Sequence, residues 1–395
     1  MNYKIHKESI GLFLFTVIVF FLTRQVPFNS YSIIMNIALI LFFVYNYKNI
    51  LITLDKLLIL KYIFFSISII LFSFIFYSLY LNNEPNLIIR FVILLSLIML
   101  SYTINPDKRY ISIFLFFIIL QSLFIIGFEI FLLINFDILT YIPIRHYFNN
   151  MGYGDVFTFG GMLYKIQLLG NALLPFGLFI VWLFYSGYKK YLFSIVIFIA
   201  ITFAGNFAFI LALIIFYILY FLYKTRWTLQ NIVLNSFFII ILVLFTGKPI
   251  YNYFGNVIKH KAISSNPVRI DQFNVLISDM NNNLGTLVFG KGLGNTVDIK
   301  TEWRNYENRV YYELQSIYIL NQIGFVLFLM FIFINILLSL HFIKYKILLI
   351  TYFTYIFYAS FNPYFLDTNH IVVIIVLISL RKVFDEKNIY NTRSI

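Results

Sequence analysis

Arg269 and Glu313 are the residues of this sequence whose types best suit chemistry on an anionic substrate. Arg269 lies in the segment Asn266-Pro267-Val268-Arg269, and Glu313 immediately precedes a long apolar run. An arginine presents a planar fork of N–H donors that grips phosphate oxygens in pairs. A carboxylate can take a proton from a hydroxyl group as a general base. Glu313 also has a structural reading, because a carboxylate in the first turn of a helix is stabilised by the helix dipole.

Six further basic residues lie near the ends of apolar runs or in the segments between them. Each one alone is readily explained as a solvated loop residue whose alkyl stem lies along apolar surface. As a set they predict a cation-rich cavity around an anionic ligand. The candidate substrate-binding residues are Arg24, Arg90, Arg145, Lys165, Arg304 and Arg309.

The composition places these residues in a membrane protein. The chain has 395 residues, of which 61% are hydrophobic and 11% charged. Soluble domains carry about 45–50% apolar and about 25% charged residues, so this much apolar surface requires lipid as the solvent. A soluble enzyme, a secreted domain and a disordered chain are excluded. The net charge of +13 is explained largely by cytoplasmic Lys and Arg rather than by nucleic-acid binding.

Apolar runs approaching the roughly 20 residues that span a bilayer predict twelve transmembrane helices and an all-α polytopic protein. The two runs that meet at Gly205-Asn206 are short, and they could instead form one re-entrant hairpin. The runs centre on Ile10–Thr23, Ser32–Tyr45, Tyr62–Tyr80, Ile88–Ile104, Tyr110–Asn135, Leu168–Tyr185, Leu192–Ala204, Phe207–Leu222, Ile232–Thr246, Leu314–Leu340, Ile347–Phe361 and His370–Leu380.

The distribution of Lys and Arg predicts that both termini are cytoplasmic. The first apolar run follows Lys4 and Lys7 and has no small-residue cleavage site, so we expect an anchor rather than a removed signal peptide. Every second connection then carries a basic pair, which is the positive-inside pattern. Two larger loops fall on the outer side, one over Phe136–Gln167 and one of 66 residues over Gly247–Tyr312. The apolar pairs in the long loop predict that it folds back as short helices. We expect residues 1–395 to form a single integral membrane domain.

Glycines in the long loop predict a tight turn. Phe289-Gly290-Lys291-Gly292-Leu293-Gly294 resembles a phosphate loop only superficially, because it lacks the Walker Lys-Ser/Thr pair and a βαβ context. The turn could be structural, or the amides of Gly290 and Gly292 could approach a ligand closely. The distance along the chain from Arg145 to Gly161 in the first outer loop equals that from Arg269 to Gly285 in the long loop.

Other chemistry is limited by what the sequence contains. Glu129, near the outer end of the fifth predicted span, is a second candidate carboxylate, because intramembrane acids are often functional. There is no Cys, and the five His do not stand at metal-ligand spacing. We therefore expect no metal and no cofactor.

Three segments near the end of the long loop carry a resemblance to a known family. They are Asn-Pro-Val-Arg-Ile-Asp-Gln at 266–272, Phe-Gly-Lys-Gly-Leu-Gly at 289–294, and Glu-Leu-Gln-Ser-Ile-Tyr-Ile-Leu-Asn-Gln-Ile-Gly at 313–324. With about twelve spans and a long outer loop between the ninth and tenth, the chain resembles the O-antigen polymerase (Wzy) family, within the O-antigen ligase/polymerase superfamily. The shared motifs are confined to about residues 260–325.

The resemblance implies a GT-C-like glycosyltransferase of the bacterial inner membrane. Such an enzyme joins oligosaccharide repeat units carried on undecaprenyl pyrophosphate at the periplasmic face, and it works without a metal. A chain-length regulator and a flippase are its implied partners.

Polymerases of this family use arginines in the two larger outer loops, and Arg145 with Gly161 and Arg269 with Gly285 fit those positions. Beside the resemblance, we interpret Arg269 and Glu313 as the catalytic candidates: the arginines would hold the pyrophosphate, and Glu313 would deprotonate the acceptor hydroxyl. The ligase relatives carry a His-Asn-like pair where this chain has Glu313-Leu314, which favours the polymerase.

Two alternative functions stay open at this point. An O-antigen ligase would share the fold and donor but use lipid A–core as acceptor. A lipid-linked oligosaccharide flippase would be a transporter rather than an enzyme. A flippase has no need of a 66-residue outer loop, and its charges should line the spans rather than their outer mouths. Both features argue against a transporter.

Overall fold

The computed structural model describes residues 2–56, 58–158, 163–225, 266–281, 283–300 and 312–393, and it is overwhelmingly helical. In chain order the helices are α1 Asn2–Thr23, α2 Gln25–Phe28, α3 Ser32–Tyr45, α4 Tyr47–Lys56, α5 Leu58–Tyr80, α6 Pro85–Ser101, α7 Lys108–Asn135, α8 Ile142–Asn150, α9 Leu174–Phe184, α10 Gly187–Ala204, α11 Phe207–Lys224, α12 Asn266–Met280, α13 Leu284–Phe289, α14 Gln315–Ser339, α15 Lys346–Ser360 and α16 Thr368–Arg393.

The helix lengths and compositions identify a helical membrane protein. Within the described residues, α5, α7, α10, α11 and α14 are long and apolar enough to cross a bilayer. α3 and α4 would add a sixth span if this pair, bent by 52°, crosses as one unit, while α1, α6, α9 and α15 contain shorter apolar stretches. Each predicted run within the described chain coincides with a helix, but the count of twelve spans stays a prediction. The run Ile232–Thr246 lies outside the described residues.

α10 and α11 are two separate helices. Each has 18 residues and passes the length and hydropathy test for a span on its own. Gly205 ends α10 with a φ of 58°, and the Asn206 side chain caps α11 by accepting the Ala208 N–H. Glycine adopts this left-handed conformation without a steric penalty, so the chain reverses within two residues.

α7 and α16 form the centre of the bundle. Every residue from 371 to 380 in α16 is buried, as expected for a helix surrounded by other helices. α7 packs against α1, α9, α10 and α16. Its 28 residues make a helix about 42 Å long, longer than the roughly 30 Å of hydrocarbon in a bilayer.

The bundle has two chemically different ends. Contacts of Lys382 with Pro106 and of Arg381 with His341 join the start of α7 and the end of α14 to the last part of α16; we call this the Arg381 end. At the opposite end, which we call the Arg269 end, lie the end of α5 and the starts of α6, α14 and α16. The predicted topology places the Arg381 end in the cytoplasm.

The predicted outer loop over Phe136–Gln167 has its own secondary structure. It contains α8 and an antiparallel hairpin of β1 Gly154–Thr158 and β2 Tyr164–Leu168, in which Val156 opposes Ile166. Both of these side chains are fully buried, and the hairpin packs on the last turns of α7 and on α10. The all-α prediction therefore holds for the bundle, with this small sheet as an addition that it missed.

The described part of the long loop folds back as predicted. α12 begins at Asn266, immediately before Pro267, which is the position where proline favours a helix start. After α13, the turn at Gly290–Gly294 packs against a break in α14, where Gly324 has φ 70° and ψ 174°. The Lys291 N–H donates to the Asn321 carbonyl and the Gly292 N–H to the Gln322 carbonyl, both at 2.9 Å. The long loop is thereby fastened to the bundle by its backbone.

This contact leaves no room for a side chain. A Cβ at Gly324 would overlap the backbone of Gly290 and Val288, and its positive φ adds strain. We expect Gly324→Ala to lower the free energy of unfolding by at least about 2 kcal/mol in detergent. Gly127→Ala is the matched control, because nothing lies within 4 Å of a Cβ there. Equal melting temperatures for the two variants would contradict the tight contact.

Candidate functional site

Arg269 and Glu313, the two predicted catalytic residues, are brought together at the Arg269 end. Arg269 Nε donates to Glu313 Oε2 at 3.1 Å, and the two side chains are 32% and 21% exposed. Three residues further along α12, on the same helix face, Gln272 accepts the Leu314 N–H at 3.3 Å. α12 thus holds the segment that precedes α14 through a charged contact and a neutral one.

Polar contacts to α14 fix the position of α12. The buried Asn321 side chain donates to the Leu276 carbonyl and to Asp279 Oδ2, both at 3.0 Å. Lys291 pairs with Asp279 at 3.1 Å, and the Asn295 amide joins Asp279 to Asn321. These contacts are made near the end of α12 opposite Arg269. They therefore fix the orientation of the helix, and with it the direction in which Arg269 approaches Glu313.

Asp367 is a member of the site that the sequence reasoning missed. It ends the connection between α15 and α16, and its carboxylate accepts N–H groups of Thr368 and Asn369. Burial raises the pKa of the Asp367 carboxyl, whereas those hydrogen bonds and the charge of Arg90 act in the opposite direction. The signal was the polar sequence Asn362-Pro-Tyr-Phe-Leu-Asp-Thr-Asn-His370 between two apolar runs.

Tyr364 lies within electrostatic range of both carboxylates, and Arg90 lies within range of Asp367. Arg90, an exposed residue in the first turns of α6, acts electrostatically on Asp367 and on Tyr318 of α14. Burial raises the pKa of Tyr364, and the charges of Asp367 and Glu313 add to that effect. Four elements from distant parts of the sequence therefore contribute two cations and two carboxylates to one region, which we call the Arg269 cluster: Arg90, Arg269, Glu313 and Asp367.

An apolar cavity begins beside the Arg269 cluster. It lies between α5, α6 and α14, has a volume of about 90 Å³ and is partly open to the outside. Phe91 and Leu366, the sequence neighbours of Arg90 and Asp367, contribute to its wall. Gln322 also lines it, with a buried Nε2 that lacks a hydrogen-bond partner in the described chain. A charged mouth thus adjoins an apolar space within the bundle.

Arg24 lies in a different polar environment. Its guanidinium contacts the Leu120 carbonyl at 3.4 Å and Gln121 Oε1 at 3.5 Å, and it stacks 4.7 Å from the ring centroid of Phe124. Burial lowers the pKa of Arg24. No described contact joins it to the Arg269 cluster.

Arg145 and Lys165 both belong to the hairpin region. Arg145 makes a bidentate pair with Asp155, at 2.9 and 3.0 Å, so its fork is occupied by a carboxylate. Lys165 is only 8% exposed; its stem packs on Gly205 and its ammonium lies 4.5 Å from the ring centroid of Phe157. These contacts favour a role in holding the hairpin, although both residues stay candidates for substrate binding.

Glu129 is buried beneath the same hairpin. Its Oε1 accepts the Tyr164 N–H at 2.8 Å, while its Oε2 has no hydrogen-bond partner among the residues described. The contact ties the end of α7 to the start of β2. This geometry supports the structural role of Glu129 over the general-base role.

The geometry of Gly290 and Gly292 supports the structural reading of their turn, and their role in substrate binding stays a prediction. The Gly290 N–H donates to the Thr286 carbonyl at 2.8 Å, and the Gly292 N–H donates to Gln322. Their amides are therefore used by the protein, and the turn is explained by packing. Among the other predicted residues, Arg304, Arg309 and Gly161 lie outside the described residues.

Comparisons with known proteins do not identify the chain. No protein-family model, curated protein or solved structure matches it. Across the ranges that the structure describes, no group of three or more His, Asp or Glu side chains is arranged to hold a metal ion. We therefore propose a function from the geometry of the Arg269 cluster together with the resemblance of residues 260–325.

The raised pKa of Asp367 gives a pH-dependent prediction. A carboxyl whose pKa is higher in the folded than in the unfolded protein stabilises the fold below its unfolded pKa, and that stabilisation is lost as the pH rises through the folded pKa. Asp367→Asn carries no such penalty. We expect its melting temperature in detergent, relative to the wild type, to increase as the pH rises from about 4 to 8.

The same series distinguishes titration from lost hydrogen bonds. An Asn that merely accepts the Thr368 N–H less well would shift the melting temperature by the same amount at every pH. Asp271→Asn, on the first turns of α12, is the control for the general effect of replacing a carboxylate by an amide. A constant difference for Asp367→Asn would contradict the raised pKa.

Proposed function

We propose that this protein is a polysaccharide polymerase of the bacterial inner membrane. It joins oligosaccharide repeat units carried on undecaprenyl pyrophosphate at the periplasmic face, and both of its termini are cytoplasmic. In this proposal the protein is a metal-independent glycosyltransferase, and the product is O-antigen or a related surface polysaccharide. The resemblance of residues 260–325 to the Wzy family supplies the reaction, and the geometry at the Arg269 end supports it.

The observation that carries the proposal is that Phe91 and Leu366, the sequence neighbours of Arg90 and Asp367, line an apolar cavity. A lipid-linked pyrophosphate has an anionic head directly joined to a long hydrocarbon chain. The cluster offers guanidinium groups to the head, and the neighbouring walls of α5, α6 and α14 offer an apolar surface to the chain. A water-soluble anionic substrate would not require the apolar surface of α5, α6 and α14.

The proposed reaction uses each charged group in a defined way. Arg269 donates to Glu313 through Nε, so its Nη groups suit the pyrophosphate oxygens. Arg90 would bind the same pyrophosphate. The acceptor hydroxyl attacks the anomeric carbon of the donor, and the bond from that carbon to the pyrophosphate oxygen breaks. Glu313 takes the hydroxyl proton, and the arginines stabilise the negative charge on the departing undecaprenyl pyrophosphate.

Substrate binding must loosen the Arg269–Glu313 pair for this to occur. The pair is partly exposed, and such pairs contribute at most about 1 kcal/mol to stability, so a phosphate can compete for Arg269 at little cost. The resting pair therefore keeps the cation and the base within reach of each other until a substrate separates them.

A deletion strain tests the function directly. In a gel of surface lipopolysaccharide, we expect core bearing a single repeat unit, because export and ligation continue while polymerisation fails. Core without any unit would instead indicate the ligase or the flippase. An unchanged ladder would contradict a role in O-antigen synthesis.

Point variants test the site in the same strain. We expect Arg269→Ala and Glu313→Gln each to reduce polymer formation about 100-fold or more, because each removes charge that acts at the developing anion or at the hydroxyl proton. Lys189→Ala is the control; it removes an exposed cation at the Arg381 end and should restore the full ladder. All three proteins should accumulate in the membrane to the same level. Normal chain lengths from Arg269→Ala and Glu313→Gln would exclude this site.

A further inference from the structure

A second cavity lies at the Arg381 end, far from the site proposed for polymerisation. It is formed by α4, the turn between α6 and α7, the end of α14 and the last part of α16, and it is a partly open cavity of about 440 Å³. Its polar lining consists of amide, hydroxyl, imidazole and cationic side chains and one carboxylate, namely Asn49, Thr53, Tyr102, Asn105, His341, Arg381, Lys382 and Asp385.

The two cations of this cavity are each oriented by a backbone carbonyl. Arg381 Nη1 donates to the His341 carbonyl at 2.7 Å, and Lys382 Nζ donates to the Pro106 carbonyl at 3.1 Å. A carbonyl fixes the direction of a cation without cancelling its charge. Arg381 also makes a long ion pair of 4.0 Å with Asp385, and the charge of Lys382 acts on Asp107.

Asp385 itself is already shared. Lys344 makes an ion pair with its Oδ1, which also accepts the Tyr345 hydroxyl at 2.9 Å. Asp107, the other carboxylate nearby, is held by Arg109. The cavity lining therefore holds two cations, Arg381 and Lys382, and one carboxylate, Asp385, which Lys344 also neutralises, so positive charge is in excess there.

One wall of the cavity is suited to the surface of a bilayer. α4 is bent 52° away from α3, and it carries Lys48, Asp55 and Lys56 together with exposed Leu51 and Ile52. A helix that carries both charged and exposed apolar side chains is typical of the interface between water and lipid. Ile52 also lines the cavity, with Ile104 and Ile378, so its wall is apolar beside the cations.

We propose that this cavity binds the phosphodiester headgroup of an anionic phospholipid. Arg381 and Lys382 would hold the phosphate, and Asn49, Thr53 and Asn105 would bond to the polar remainder of the headgroup. Basic pockets between transmembrane helices are suited to such headgroups. The apolar wall favours a lipid over a free phosphate, because a lipid continues into acyl chains that cover Ile52 while the headgroup occupies the cavity.

The test measures lipid binding to the purified full-length protein in detergent by native mass spectrometry. We expect phosphatidylglycerol to bind more tightly than phosphatidylcholine. The double variant Arg381→Ala/Lys382→Ala should weaken phosphatidylglycerol binding about thirtyfold, as expected for the loss of two basic contacts at a membrane surface. Lys382→Glu, which changes only an exposed side chain, is the second variant in case the loss of Arg381 disturbs folding; it should also weaken binding.

The matched control removes the same charge elsewhere on the same end. Lys189→Ala/Lys224→Ala changes two exposed lysines outside the cavity and should bind phosphatidylglycerol like the wild type. Equal affinity for the two lipids, or an equal loss in the control, would overturn the proposal. Tripolyphosphate that displaces phosphatidylglycerol and stabilises the protein equally well would assign the cavity to a soluble phosphate and overturn the lipid assignment. None of these outcomes depends on polymerase activity, so failure here is distinguishable from failure of the proposed function.

Discussion

The position of the candidate site depends on the close backbone contact between the glycine turn and the break in α14. Gly290 and Gly324 approach each other where neither could carry a Cβ, and Lys291 and Gly292 donate to carbonyls of α14. The end of α5 joins the same contact, because Tyr77 and Asn83 donate to carbonyls of the turn. A long loop can adopt many conformations. This contact restricts the conformations of the segment that follows α12 and α13, and so holds both helices against the bundle.

The position of Arg269 follows from that contact. Once the turn is fixed, Asp279 and Asn321 hold the far end of α12, and the rigid helix carries Arg269 to Glu313 across about three turns. A helix is a better support for a charged group than a loop, because its residues cannot move independently. The remaining members of the cluster come from the starts of α6 and α16, which the bundle itself places at this end.

The two ends of the bundle use charge differently. At the Arg269 end, cations and carboxylates are matched, which limits the penalty for burying them and leaves groups of both signs available to a substrate. At the Arg381 end, cations exceed carboxylates in the lining of a cavity beside an amphipathic helix. The first arrangement suits a reaction in which a proton and a leaving anion are exchanged, and the second suits the steady binding of an anionic headgroup.

Apolar runs were sufficient to predict the helices, because a run of this length is stable in lipid only if its backbone bonds are satisfied internally. The start of α3 at Ser32 and of α11 at Phe207 agree with the sequence. The hairpin over 154–168 was missed because its strands have five residues each and follow no strict alternation. The break at Gly324 was also hidden within an apolar run.

The candidate site was only partly accessible from the sequence. Arg269 and Glu313 could be chosen as candidates from residue type and context, and the structure brings their side chains into contact. Asp367 could not be chosen among the acidic residues without knowing that α16 begins beside Arg90. The structural role of Gly290 likewise depends on a partner more than thirty positions away, which no local pattern encodes.

The most direct test of the central claim is polymerisation by the purified protein. The full-length chain would be reconstituted in liposomes and supplied with undecaprenyl-pyrophosphate-linked repeat units in the presence of EDTA. Our account predicts a ladder of lipid-linked glycans that is absent with Glu313→Gln. No product longer than one repeat unit from the wild-type protein, or an undiminished ladder from Glu313→Gln, would contradict it.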